Sequence, residues 1–210
     1  MRSCVILEGG NMKELASKAA EAKQKGSDLV EINFNSFNDY SNLERIENFP
    51  VPVIISCNFT KDQETIVAVK RALKFKTEFV DIDLAFPKNF IEETFSYARS
   101  NGIKTIISYY PDSLANPKHT KKIIEDMSIM SRYMKIGLPP KSKKDRKTYD
   151  EMFEISSKTG SKLVLVNTGE PEKRNFITYG KIGPSEKNKN LPEIEDVKRS
   201  IIENVKKTTV

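Results

Sequence analysis

The sequence contains no tryptophan, a single histidine and only two cysteines in 210 residues. With His119 standing alone, histidine-rich metal sites are excluded, and a Ser–His–Asp set has no other histidine to draw on. Cys4 and Cys57 both lie inside apolar runs, and neither has a CxxC partner. That excludes a disulfide framework and a zinc ribbon, and it fits a reducing cytoplasm. No apolar run approaches the ~20 residues a membrane span requires, and Met1–Gly10 is too short for a signal peptide. The expected location is therefore cytoplasmic, with no membrane partner. No Gx4GK[ST] or HExxH motif occurs, so nucleotide hydrolysis through a P-loop and zinc proteolysis are excluded as readings. Low-complexity segments and linkers are also missing, and residues 1–210 read as one domain.

Charge is plentiful but diffuse. The 35 basic and 29 acidic residues give a formal charge of +6, and the excess is mostly lysine spread along the chain. A diffuse lysine excess is a solvated surface rather than a nucleic-acid face, so no nucleic-acid partner is expected. The basic run Lys141–Lys147 and the charged tail Glu193–Lys207 read as solvated helix faces in the same way.

What is present is a rhythm. Short apolar runs occur at Ser3–Leu7, Leu29–Asn33, Val53–Asn58, Phe79–Leu84, Thr105–Tyr110, Arg132–Gly137, Lys162–Asn167 and Ile177–Ile182. Each has the length and β-branched content of a strand buried on both faces. Amphipathic patterns at Asn11–Lys25, Gln63–Lys76, Pro87–Asn101, Lys118–Met130 and Lys141–Thr159 predict helices between them. Asn11 and Asp62 stand as N-caps, Pro87 and Pro117 near first turns, and Gly26, Gly102 and Gly160 just past helix ends.

The first strand-to-strand steps are about 26 residues, the length of one strand, one crossover helix and two loops. Such alternation implies a parallel α/β sheet. Eight strands predict a compact (β/α)8 TIM-type barrel. An open doubly wound sheet is the competing arrangement, but no GxGxxG follows Leu7. The step from the seventh strand to the eighth is only 15 residues, so the helix between them is expected to be missing or shortened.

Barrel chemistry sits at the C-terminal ends of the strands, and alternation decides which side chains face inward there. Glu31 and Asn33 share one face, as do Ser56 and Asn58, Asp81 and Asp83, and Ser108 and Tyr110. Lys135 lies in mid-strand between Met134 and Ile136. A buried ammonium must be paired or carry a depressed pKa, and the carboxylates within reach are Glu31, Asp81 and Asp83. A desolvated lysine amine attacks carbonyls and forms imines. The same arrangement also describes a lysine–carboxylate core pair with no chemistry, and the pattern alone leaves both open. Asp81 with Asp83 would also offer magnesium two carboxylates, although neutralising Lys135 is the simpler role.

These residues resemble those of the type I 3-dehydroquinate dehydratases, Schiff-base (β/α)8 enzymes of the shikimate pathway. Gly26-Ser27-Asp28-Leu29-Val30-Glu31-Ile32-Asn33 is similar to the family's G-A-D-L-V-E-x-R-x-D strand, and Asp81-Ile82-Asp83 to its D-I-E. Ile107-Ser108-Tyr109-Tyr110 with Pro117 resembles I-S-x-H-D-F…T-P. Met134-Lys135-Ile136-Gly137, followed by Pro140-Lys141-Ser142, resembles the segment that carries the imine lysine. Thr178-Tyr179 through Asn190-Leu191-Pro192 resembles the closing segment. The resemblance implies elimination of water from 3-dehydroquinate, in aromatic amino-acid biosynthesis, by an enzyme that needs no metal or other cofactor. It also places a homodimer among the expectations.

Carried over residue by residue, the resemblance names Lys135 as the imine lysine, with Glu31, Asp83 and Tyr110 as the other catalytic positions. Asn33, Asn58, Arg174 and Asn190 become the substrate-binding positions. The departures are specific. Asn33 and Asn58 stand where the family has arginines, Tyr110 where it has its proton-shuttling histidine, and Asn190 where it has a glutamine. Lys61, Lys173 and Arg174 are the cations left to bind a substrate carboxylate from the mouth loops, and His119 at a helix start reads as an exposed capping-region residue. Two other readings stand beside the dehydratase: a Schiff-base lyase or aldolase with another small-molecule carbonyl substrate, and a catalytically degenerate barrel retained for binding.

Overall fold

The computed structural model describes residues 3–7, 9–36, 39–110, 117–138, 152, 158–167 and 181–182. Its strands are β1 (Ser3–Leu7), β2 (Leu29–Asn33), β3 (Val53–Cys57), β4 (Phe79–Asp83), β5 (Lys104–Tyr109), β6 (Tyr133–Leu138), β7 (Lys162–Asn167) and β8 (Lys181–Ile182). Among the described residues four helices accompany them: α1 (Met12–Gln24), α2 (Gln63–Ala72), α3 (Lys88–Ser100) and α4 (Pro117–Met130). The expected strands are recovered within a residue or so at their described ends. One helix differs more: α2 stops at Ala72 rather than Lys76, because Lys74 and Phe75 bond back to Arg71 and Ala72 in a tighter turn.

Local chemistry sets the helix ends. Asn11 caps α1 by accepting from the Glu14 N–H at 3.0 Å, while the Glu14 carboxylate accepts from the Gly10 N–H at 3.0 Å. Asp62 caps α2 by accepting from the Glu64 and Thr65 N–H groups. These bonds satisfy amide donors that a helix start leaves unpaired. Gly26, Gly102 and Gly160 all take positive φ, the left-handed conformation expected of residues past helix ends. The connection from β2 to β3 breaks the helical rhythm, being built from two 3-10 segments, Phe34–Ser36 and Leu43–Asn48.

Every strand pairing is parallel, and the order is β7-β6-β5-β4-β3-β2-β1-β8. The sheet curls, so that its two ends, β7 and β8, come near one another; no ladder joins them among the described residues. The helix expected at 141–159 and the connection from β7 to β8 lie outside the described residues, save for isolated helical positions at Met152 and Lys158.

The register sorts side chains into two layers. Outward from the strands, Val30, Ile32, Val53, Ile55, Val80, Ile82, Ile107, Met134 and Ile136 pack with Leu15, Ala19, Ala68, Val69, Ile91, Phe95 and Ile124 of the helices. Inside the curl, Cys4, Leu29, Ile54, Phe79 and Ile106 form a separate apolar cluster, with Ile6 and Tyr133 packed against it. Phe79 and Tyr133 meet edge to face, 5.3 Å apart. Strand alternation then carries the next inward residues toward the C-terminal ends: Glu31, Ser56, Asp81, Ser108 and Lys135. All five are buried. A polar layer thus sits directly on an apolar floor.

Candidate active site

Lys135 is 2% exposed, and its Nζ lies 2.7 Å from both Glu31 Oε1 and Asp81 Oδ2. The three side chains come from β6, β2 and β4, so only the curl of the sheet brings them together. Glu31 and Asp81 are 3% and 1% exposed, and in each the second oxygen (Glu31 Oε2, Asp81 Oδ1) is buried without a hydrogen-bond partner. Two carboxylates around one ammonium leave a surplus acceptor capacity that a buried site ordinarily fills with a donor or a proton.

The electrostatics follow from this geometry. Burial alone would lower the proton affinity of Lys135, but the Asp81 and Glu31 carboxylates outweigh it and hold its pKa well above the usual lysine value. The Asp81 carboxyl is raised, first by burial and further by Glu31, against the pull of Lys135. Tyr110 follows β5, is half-buried and lies close enough to Lys135 to feel its charge. Burial, reinforced by Asp81 and Glu31, pushes its hydroxyl well above the usual phenol value. A phenol in that setting stays protonated at neutral pH, so it offers a hydrogen-bond donor and not a base. The Cys57 thiol is pushed up to about 12 by burial, with Asp81 and Asp83 adding to the effect, which leaves it unreactive.

Asp83 goes elsewhere. Its Oδ2 accepts from the Phe59 N–H at 3.1 Å and its Oδ1 from the Ala85 N–H at 2.9 Å. Asp81 with Glu31, rather than Asp81 with Asp83, neutralises Lys135, because Asp83 sits one inward step nearer the mouth and is taken up by loop amides.

Asn33 and Asn58 stand at the mouths of β2 and β3, both half-buried. Asn33 Oδ1 accepts from the Asn35 N–H at 2.9 Å. The Asn35 amide grips the backbone of Asn58 at two points, accepting from its N–H at 2.7 Å and donating to its carbonyl at 3.0 Å. Asn35 was not singled out from sequence. It is exposed and lies in the first 3-10 segment, past the end of β2, where strand alternation no longer assigns a face. His119 is exposed on α4, and Arg174, Lys173 and Asn190 lie outside the described residues.

A family model described as type I 3-dehydroquinase matches residues 3–184, most of the chain. The chain belongs to the type I 3-dehydroquinase family. Among curated relatives it is 28% identical over 185 residues to 3-dehydroquinate dehydratase of Methanococcus maripaludis strain C7, covering 81% of this chain and 80% of that one. It is 25% identical over 171 residues to the enzyme of the same name from Methanocaldococcus jannaschii, covering 76% of each. Among solved structures, 3-dehydroquinate dehydratase from Geobacillus kaustophilus superposes with a TM-score of 0.78 at 15% identity, covering 97% of this chain and 91% of that one. The type I enzyme from Clostridium difficile, solved with covalently modified comenic acid, gives 0.75 at 16% identity, covering 94% and 89%. These structural likenesses establish the α/β fold. No helix among the described residues is long and apolar enough to cross a membrane.

Proposed function

We propose that this chain is a type I 3-dehydroquinate dehydratase that eliminates water from 3-dehydroquinate through an imine on Lys135. The observation that carries the reading is the buried lysine inside a curled parallel sheet, bonded to two carboxylates from other strands. In this reading the sheet closes between β7 and β8 into an eight-stranded barrel. The Lys135 amine condenses with the substrate ketone, and the resulting iminium makes the neighbouring C–H acidic. Glu31 holds the positive charge in place, and Tyr110 takes the family histidine's position as a donor to the departing hydroxyl.

Asn33 and Asn58 occupy the rim. Because Asn33 Oδ1 is committed to the Asn35 N–H, its Nδ2 group is the one left to donate to a substrate oxygen. Asp83, through its bonds to Phe59 and Ala85, shapes the loops over β3 and β4. Arg174 and Asn190 complete substrate binding, Arg174 through the carboxylate. The working location is the cytoplasm, within aromatic amino-acid biosynthesis, and no cofactor is required.

Borohydride trapping with 3-dehydroquinate, read by intact mass and peptide mapping, tests this. The expected result is a reduced adduct on Lys135. A folded protein that forms no adduct and does not turn over 3-dehydroquinate would sink the dehydratase reading. An adduct with other carbonyl compounds alone would move the assignment to a different Schiff-base lyase.

A further inference from the structure

An amine that is to attack a ketone must first lose a proton, and the resting Lys135 is an ammonium clamped at 2.7 Å by two carboxylates. Something in contact with Nζ has to take that proton and later return one to oxygen. Tyr110 is already a protonated phenol and offers no base, Asp83 is bonded to two backbone amides, and Cys57 packs in the outer core.

We propose that Asp81 is the catalytic proton carrier of imine formation, while Glu31 remains the fixed counter-charge; this rests on the Schiff-base reading above. The two carboxylates are equidistant from Nζ but sit in different walls. Glu31 is flanked in register by Ile6 and Ile54, both inward-facing and apolar. Asp81 is flanked in register by Ser56 on one side and by the apolar Ile106 on the other, and Ser108 stands one step nearer the mouth beyond Ile106, in register with Lys135. Asp81 therefore adjoins two hydroxyl groups, one of them on the strand that leads to Tyr110, whereas Glu31 has only Ser56 near it, one step toward the mouth and in register with Asn33. Asp81 Oδ1, like Glu31 Oε2, has no hydrogen-bond partner, so it is the neighbouring hydroxyls and not a spare acceptor that set Asp81 apart. The raised proton affinity of its carboxyl acts in the same direction.

The step balances without an outside reactant. Asp81 takes one proton from the Lys135 ammonium, giving a neutral amine and a carboxylic acid. The amine nitrogen adds to the ketone carbon, and the C=O pair moves onto oxygen. Proton transfer from nitrogen to that oxygen gives the neutral carbinolamine. Asp81 then protonates the carbinolamine hydroxyl, water leaves, and a protonated imine remains beside the Asp81 and Glu31 carboxylates. The first transfer neutralises two of the three buried charges and leaves the Glu31 carboxylate as the counter-charge that the later iminium pairs with.

The test compares the rate of borohydride-trapped adduct formation with 3-dehydroquinate across pH 6–10 in the wild type, Asp81→Asn, Asp81→Glu and Glu31→Gln. Asp81→Asn should form the adduct about 100-fold more slowly at neutral pH, with the deficit shrinking as pH rises and solvent takes the lysine proton. Asp81→Glu should recover most of the rate, and Glu31→Gln should lose less than Asp81→Asn. Adduct formation by Asp81→Asn at the wild-type rate, or an equal or larger loss in Glu31→Gln, would overturn the proposal while leaving the imine reading intact. If Asp81→Asn does not fold, Asp81→Glu and Glu31→Gln decide it: a loss of about 100-fold or more in either one overturns the assignment. A wild type that traps no adduct on Lys135 removes the dehydratase reading and this proposal together.

Discussion

The interior of the curled sheet has two levels that differ in what they ask of the fold. The floor of Cys4, Leu29, Ile54, Phe79 and Ile106 is apolar, and each of its side chains gains by leaving water. The level above holds Glu31, Asp81 and Lys135, each of which loses hydration on burial and recovers it only through the others. The floor would tolerate an apolar replacement of similar volume. The charged level tolerates little, because removing one member strands the rest. A level that is costly to keep and adds little net stability is where a functional role is to be sought, which is the reasoning that makes Lys135 the centre of the site.

Several experiments would break or sharpen that contrast. The largest effect is expected from Lys135→Met, which should abolish adduct formation and destabilise the fold by about 3–5 kcal/mol by leaving two carboxylates buried without a cation. Denaturant unfolding that matched the wild type would show that the carboxylates are protonated or hydrated instead. Leu29→Ala, on the floor, should cost about 3 kcal/mol through a cavity yet leave the folded fraction able to form the adduct. Loss of trapping in folded Leu29→Ala would mean that the two levels are not separable.

The charged level should also respond to pH where the floor does not. The folded state raises the Lys135 pKa, so its stabilisation is fully present below the unfolded lysine value of about 10.4 and is lost as pH rises through the higher folded value. The wild type should therefore lose urea resistance in strongly alkaline solution more steeply than Lys135→Met, and parallel curves would contradict the pairing. A smaller change is expected at the rim. Asn35→Ala removes both bonds to the Asn58 backbone and should cost about 1–2 kcal/mol, with Asn35→Asp keeping only the bond from the Asn58 N–H. Tyr110→Phe should change stability least, by about 0.5 kcal/mol or less, while slowing turnover of 3-dehydroquinate. Unchanged turnover would remove Tyr110 from the mechanism.

Much of this arrangement was legible in the chain. The apolar runs and their spacing gave the strand order, and period-two alternation put Glu31, Ser56, Asp81, Ser108 and Lys135 on inward faces before any contact was known. Asn11, Asp62 and the three helix-ending glycines were readable because capping is a local matter, decided within four residues. The partner of Lys135 was not local. Glu31 is 104 residues away and Asp81 is 54, and the sequence offered Asp83 on the same face as Asp81 with equal claim. What separates the two aspartates is height: one strand step moves a side chain by two residues along the strand, enough to exchange an ammonium for the amides of Phe59 and Ala85. The clamp of Asn35 on Asn58 was hidden for the same reason, since it joins residues 23 apart across neighbouring strand mouths.

By itself, then, the sequence determined the alternation of strands and helices, the inward residue set and a lysine that required an explanation, because periodicity and capping act over short stretches of chain. Only the tertiary structure decided which carboxylates hold that lysine and which acidic residue is spent on loop amides. Those outcomes depend on sheet curl and strand register, and a difference of one step along a strand reassigns the charge.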